Sequence, residues 1–530
     1  MSPNVTECEV AVIGAGPGGI AAAHYLLEAG IDDFVILDRA DDFGGSWRDN
    51  TYPGLEVDIP TLLYQFSFAR TGRWSKLFAD GPEIHRYNLR VVDELGLRPY
   101  FRAHHEVIAE RWDADRAQWE LTIAGRDPVR ARYVISAVGG YINPKPGTDI
   151  PGFADFKGKV LRPNHWDHSY DYSGKRVAVI GTGSSGAQIA PAVAGLAGSV
   201  HSYQRTPSWM IPKPNPRLSA RAQRFLDHRL TLAGINAMTV GFMNVVLFGL
   251  FHILPALPES VLRRAIPGYD MMARRWYRKV LRDTIDDETT REKLMPPYGV
   301  MARRPVMSSN FLQSVGSGAV TLVTSPIARI TETGIQTEDG THREADLLVA
   351  ATGYEMFTDP EYYRVGAVVG RDGFDLGTYY RTHEMRTYGG CAMPGLPNRW
   401  VLVAPEGNQG QSWQVYVEAT ARHAVRIIGE SRRRGHPVAE VTGTAFARWV
   451  RRMHHQGKAV RLYTTECQPP MHTYFVNSKG EARYYRPQTV GQMNRFSRRS
   501  PLSDYSFTGT PRRQMPLATP ESELAHDHTA

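Results

Sequence analysis

Val10-Ala11-Val12-Ile13-Gly14-Ala15-Gly16-Pro17-Gly18-Gly19 decides the fold: an apolar, β-branched run breaks into a glycine turn and then into helix-forming sequence. Such a run reads as a strand buried on both faces. The spacing Gly14-x-Gly16-x-x-Gly19 is that of a dinucleotide-binding turn, whose backbone N–H groups at the helix N-terminus receive a pyrophosphate. Written once, the pattern is a weak signal. Here it is written twice, because Val177-Ala178-Val179-Ile180 leads into Gly181-Thr182-Gly183-Ser184-Ser185-Gly186. The chain is therefore expected to be an α/β protein with two Rossmann-type dinucleotide-binding domains.

The two copies end in opposite charges. Twenty-four residues after the first glycine stands Asp38 in one copy and Arg205 in the other. That position closes the next strand, where the adenosine ribose lies. A carboxylate there accepts hydrogen bonds from ribose hydroxyls, whereas a guanidinium matches a 2′-phosphate. One site is expected to hold FAD (or NAD) and the other NADPH, which points to an oxidoreductase. Arg39, Val107, Thr182, Ser184, Ser185 and Thr206 are counted with these as cofactor-binding residues.

Outward from the two turns, the 530 residues allow several domains with a large core, and 42% apolar and 22% charged residues are ordinary for a soluble protein. A formal net charge of +8 suits anionic ligands such as two dinucleotides. The basic runs Arg432-Arg433-Arg434 and Arg448 to Arg452 read as solvated helix faces, and no aromatic interleaving or nucleic-acid motif accompanies them. The three cysteines, Cys8, Cys391 and Cys467, are far apart and form no CxxC pair. This argues for a reducing compartment and against structural disulfides, a zinc site and dithiol reductase chemistry. Met1 to Glu9 is polar and leads directly into the first strand, so a cytoplasmic location is expected. His526-Asp527-His528 sits in a polar tail, and no metal is expected there or elsewhere.

The expected organisation is a first cofactor domain over 1–150, a second over 151–214 and 301–354, a return to the first over 355–508, and a tail over 509–530. Pro144 to Pro151 is a linker by composition. Residues 215–300 read as a helical insertion. Within it, Leu230 to Pro258 carries no Asp, Glu, Lys or Arg. The stretch is long enough to span a bilayer, but a single span would put the two halves of one Rossmann unit on opposite sides. The reading adopted is a buried helical lid, with a membrane-surface patch as the alternative.

Gly45-x-Trp47-x-x-x-x-Tyr52-Pro53-Gly54-x-x-x-Asp58 resembles the flavin-side motif of type I Baeyer–Villiger monooxygenases, with every fixed position filled. The resemblance implies FAD, NADPH and O2, and an apolar ketone converted to an ester or lactone through a C4a-peroxyflavin. It places Trp47 beside the isoalloxazine and makes Asp58 the support of an active-site arginine. In Ala302-Arg303-Arg304-Pro305 it assigns catalysis to Arg304 and the NADPH phosphate to Arg303. An arginine suits the role because it stays charged while stabilising the peroxide anion and the oxyanion of the ketone adduct. The family fingerprint is matched by Phe156-x-Gly158-x-x-x-Arg162-x-x-x-Trp166-Asp167 except at Arg162, where the family has histidine. That departure puts the coupling of NADPH use to oxygenation in question, and nearby His165 reads as a loop histidine. Pro405 to Gly410 resembles a flavin-contacting loop, and Tyr474 is the expected aromatic contact to nicotinamide. The alternatives are a flavin monooxygenase acting on sulfur or nitrogen, a poorly coupled NADPH oxidase, and a membrane-associated flavoprotein without turnover. The oligomeric state is left open, a monomer being compatible.

Overall fold

The computed structural model describes residues 5–145, 149–408, 410 and 412–509. The tail from 510 with His526-Asp527-His528, the middle of the Pro144 to Pro151 stretch, and Gln409 lie outside the described residues. Thr6–Ile13 forms the centre of the first sheet. It pairs in parallel with Phe34–Leu37 on one side and with Val129–Ser136 on the other. Phe101–Arg102 extends the sheet past the former, and Gln118–Ile123, Val107–Asp113 and Val368–Val369 extend it past the latter. From far along the chain, Arg399–Val401 returns to lie parallel on Val129–Ser136. Val10, Ala11 and Val12 are fully buried, as a strand covered on both faces must be. The helix Pro17–Glu28 packs against the later helix Trp413–Arg434, where Tyr25 Oη donates to Glu418 Oε2 at 2.9 Å. A buried ion pair, Arg399 Nε to Glu110 Oε2 at 2.6 Å, ties the returning strand to Val107–Asp113.

The second sheet is wholly parallel, in the order Thr321–Val323, Ser199–Tyr203, Arg176–Ile180, Leu347–Ala350, Lys159–Leu161. The helix Ser184–Ala194 follows its glycine turn. The molecule is thus α/β with two dinucleotide-binding units. Between the neighbouring strands Ser199–Tyr203 and Thr321–Val323 the chain leaves the sheet. There it builds the helices Ala220–Asp227, Arg229–Phe248, Glu259–Arg282 and Glu288–Lys293.

The apolar stretch 230–258 is not the buried lid that its composition implies. In Arg229–Phe248 only Leu247 is buried, and Leu230, Met238, Phe242 and Val245 stand in solvent. The stretch turns its polar groups inward: Asn244 Oδ1 accepts from Gly491 N at 3.0 Å, and His252 Nε2 lies 3.0 Å from Gln492 Oε1. Leu247 and Phe251 are buried with them, but a row of other large apolar residues is left on the outer face.

Candidate active site

Both glycine turns need glycine for the same steric reason. A Cβ on Gly19 would collide with the Gly14 carbonyl oxygen, and one on Gly186 with that of Gly181, so each helix packs directly on its turn. Asp38 closes the first turn: its carboxylate accepts from Ala15 N at 2.7 Å and from Ala40 N at 2.9 Å. A cleft of about 1120 Å³ runs from this end. Gly14, Gly16, Asp38, Arg39 and Val107 line one end of it; Gly45, Trp47, Asp58 and Arg304 line it further along. Arg39 Nη1 donates to Asn143 Oδ1 at 3.0 Å.

The Gly45-to-Asp58 loop lays its side chains against the second unit. Trp47 Nε1 donates to Tyr64 Oη at 3.0 Å, and Tyr52 Oη donates to Gln188 Oε1 of the helix Ser184–Ala194 at 2.9 Å. Ser184 and Ser185, at the start of that helix, line the same cleft, so the second glycine turn opens onto the space the first one bounds. Arg304 Nη2 donates to Asp58 Oδ2 at 2.5 Å. The adjacent Asp58 carboxylate holds the Arg304 guanidinium well above its ordinary pKa, although burial opposes the charge. Tyr474, Tyr141 and Tyr484 surround the guanidinium, and burial pushes all three hydroxyls up, so they stay neutral.

The other expected residues lie off the cleft lining. Gly181, Thr182, Gly183 and Gly186 form the second turn, and Gly183 faces open space. Arg205 is exposed and, among the described residues, ends no ion pair. Thr206 follows it, half-buried. Arg303 lies beside Tyr298, whose hydroxyl donates to Pro207 O at 2.9 Å, so the basic pair and the Arg205 turn are joined. Tyr474 packs edge-on against Tyr141, with ring centroids 6.3 Å apart.

Sequence reasoning missed several groups. Lys213 is buried and bridges Glu56 Oε2 at 2.9 Å and Val57 O at 3.1 Å, fixing the backbone next to Asp58. Tyr141 follows the strand-end glycines Gly139-Gly140, and that adjacency was the available signal for it. His165, read as a loop histidine, lines the cleft, whereas Arg162 turns away: its Nη1 donates to Lys145 O at 3.1 Å and its guanidinium sits over Phe153.

The family model of pyridine nucleotide-disulphide oxidoreductases matches residues 11–242. A Baeyer–Villiger monooxygenase of Streptomyces coelicolor is 32% identical over 520 residues, covering 98% of this chain and 96% of that protein. The chain belongs to the Baeyer–Villiger monooxygenase family. A second such enzyme, from Pseudomonas aeruginosa, is 33% identical over 417 residues, covering 78% of this chain and 75% of that one. Among solved structures, cyclohexanone monooxygenase from Rhodococcus sp. Phi1 bound to NADP+ superposes with a TM-score of 0.80 at 25% identity, covering 96% of this chain and 100% of that one. As a Baeyer–Villiger monooxygenase the protein is an NADPH- and O2-dependent flavoprotein with FAD as its bound cofactor.

The residues present fit both groups. On the cleft lining, the buried Asn164 Oδ1 has no hydrogen-bond partner among the described residues, as an atom awaiting a polar ligand would. Gly45 and Gly16 meet as bare backbone, a Cβ on Gly45 lying 2.9 Å from Gly16 Cα, which leaves the turn's N–H groups accessible to a pyrophosphate. At the second turn, open space at Gly183 and an Arg205 guanidinium that ends no ion pair among the described residues suit a phosphorylated dinucleotide.

Proposed function

We propose that this cleft inserts one oxygen atom of O2 beside the carbonyl of an apolar ketone, with Arg304 as the catalytic residue and Asp58 as its positioning partner. The observation that carries the reading is the Arg304–Asp58 pair at 2.5 Å, set in the cleft onto which both glycine turns open. In the same reading the first unit, with Asp38, Arg39 and Val107, holds FAD, and the second, with Arg205, Thr206 and Arg303, holds NADPH. Tyr474 contacts the nicotinamide. The three free cysteines suit a reducing cytoplasm.

Bound FAD, reduced by NADPH, supplies the activated oxygen, and the overall change is ketone, O2, NADPH and a proton to ester, NADP+ and water. The chain's own part is electrostatic. Negative charge develops on the ketone oxygen as its carbon becomes tetrahedral, and a fixed guanidinium beside it stabilises that charge. Asp58 keeps that guanidinium oriented and charged. The neutral rings of Tyr141, Tyr474 and Tyr484 stand around it without offering a competing anion.

Arg304→Ala is expected to accept electrons from NADPH at near the native rate while ester formation falls roughly 10²- to 10³-fold. Ester formation above a tenth of the native rate would remove Arg304 from the chemistry. The pH dependence has a definite sign. Because Asp58 raises the Arg304 pKa, the cation persists as pH rises, so the native ester-forming step has no falling limb from this group below about pH 10. A limb that Arg304→Ala abolishes, centred near neutrality, would contradict this.

A further inference from the structure

The helix Arg229–Phe248 is apolar nearly all round, yet it leaves one whole face in solvent. Its outward stripe follows helical spacing through Leu230, Ala233, Ala237, Met238, Phe242 and Val245, and every member is apolar. Leu230 is 74% exposed, Val245 73%, Met238 70% and Phe242 66%. The inward face carries the polar anchors, Asn244 on Gly491 N and, past the helix end, His252 on Gln492. Leu247 and Phe251 pack on Val490, Val415 and Val460 of the C-terminal part.

We propose that this outward face docks on the surface of an anionic lipid bilayer, the helix lying in the headgroup plane. Charge selects the partner. Residues 217–282 carry eleven arginines and lysines against three acids, a surplus equal to the +8 of the whole chain. Arg221 and Arg224 before the apolar helix, Arg229 at its start, and Arg264, Arg275 and Arg278 after it, are exposed. Among them stand exposed Phe225, Met271, Met272 and Trp276. Apolar side chains flanked by arginines are the composition of a helix held at an anionic interface, where burial and headgroup attraction add. A second copy of the chain fits this face poorly, because a two-fold interface would set the basic flanks against one another.

Topology decides between lying on the bilayer and crossing it. Arg229–Ala256 is long and apolar enough to cross. However, the chain leaves the second sheet after Ser199–Tyr203 and re-enters it at the adjacent, parallel strand Thr321–Val323. Both ends of the insertion therefore belong to one side, and a crossing would also tear Asn244, Leu247 and Phe251 from their partners.

Flotation of the full-length holoenzyme with vesicles tests the proposal. The native protein is expected to float with phosphatidylglycerol–phosphatidylcholine vesicles and to stay behind with pure phosphatidylcholine. Phe242→Asp with Val245→Asp, and separately Arg221→Glu with Arg224→Glu and Arg229→Glu, are each expected to raise the lipid concentration for half-binding more than about tenfold. These exposed positions lie outside the cleft, so NADPH-driven flavin reduction in the same preparations reports that the variants are folded. Three outcomes overturn the proposal. One is no flotation on anionic vesicles. Another is equal flotation on both lipids, unmoved by either variant. The third is a lipid-free dimer in sedimentation that the Phe242→Asp, Val245→Asp variant dissociates. Resistance of the lipid-bound protein to alkaline carbonate would replace surface docking with a span.

Discussion

The two glycine turns are built alike and differ at their far ends. Gly14 and Gly181 take φ of +104° and +106°, and both third glycines pack on the first. Asp38 is half-buried on the cleft, with its carboxylate held by Ala15 N and Ala40 N of its own unit. Arg205, its counterpart, is exposed and among the described residues ends no ion pair. The acid belongs to the construction of its turn, while in the proposed reading the base is left for the NADPH phosphate. That difference suits one dinucleotide that stays with the protein and another that comes and goes.

Removing each far end sharpens the contrast. Asp38→Ala is expected to have the largest effect, leaving two backbone N–H groups without their charged acceptor. It should purify without FAD and lose about 2–4 kcal/mol in denaturant unfolding. Full FAD content and unchanged stability would dissolve the distinction between the two ends. Arg205→Ala comes next. Its stability should stay within about 0.5 kcal/mol of native, while KM for NADPH rises roughly 10- to 100-fold and that for NADH changes little. An unchanged ratio of the two KM values would move phosphate recognition to Arg303 or elsewhere. The smallest effect is expected of Arg162→His, between the two units. Because Arg162 holds the Lys145 carbonyl and not the cleft, ester formed per NADPH should rise by less than about twofold. A larger change would mean that this strip governs how the two cofactors meet.

Legibility in the sequence followed the range of the interactions. The glycine turns and their strands were readable because a turn's geometry is set within six residues and a buried parallel strand is apolar throughout. Asp38 and Arg205 could be singled out because they stand at the same count from the two turns. The Arg304–Asp58 pair joins positions 246 residues apart and was accessible only through family resemblance. Nothing local marks Lys213 as the buried partner of Glu56, since a lysine's burial is decided by what the rest of the chain puts around it. His165 reached the cleft because the tight turn from Arg162, closed by His165 N on Arg162 O at 3.1 Å, reverses the chain between them. The 230–258 stretch misled because composition states how apolar a helix is and not which way it faces.

The strand Arg399–Val401 sets an order for making the protein. Its place on the first sheet is beside Val134 to Ser136, laid down far earlier in synthesis. The helix Trp413–Arg434, whose Glu418 receives the Tyr25 hydroxyl, arrives later still. The first half of the cofactor unit therefore emerges from the ribosome with one edge of the strand Val129–Ser136 open at Val134 to Ser136 and a helix face uncovered. The second sheet, begun at Lys159–Leu161 and finished at Leu347–Ala350, can close before that happens. Folding should thus be nested, the inner unit first and the outer one around it, with the unfinished outer sheet as the aggregation-prone species.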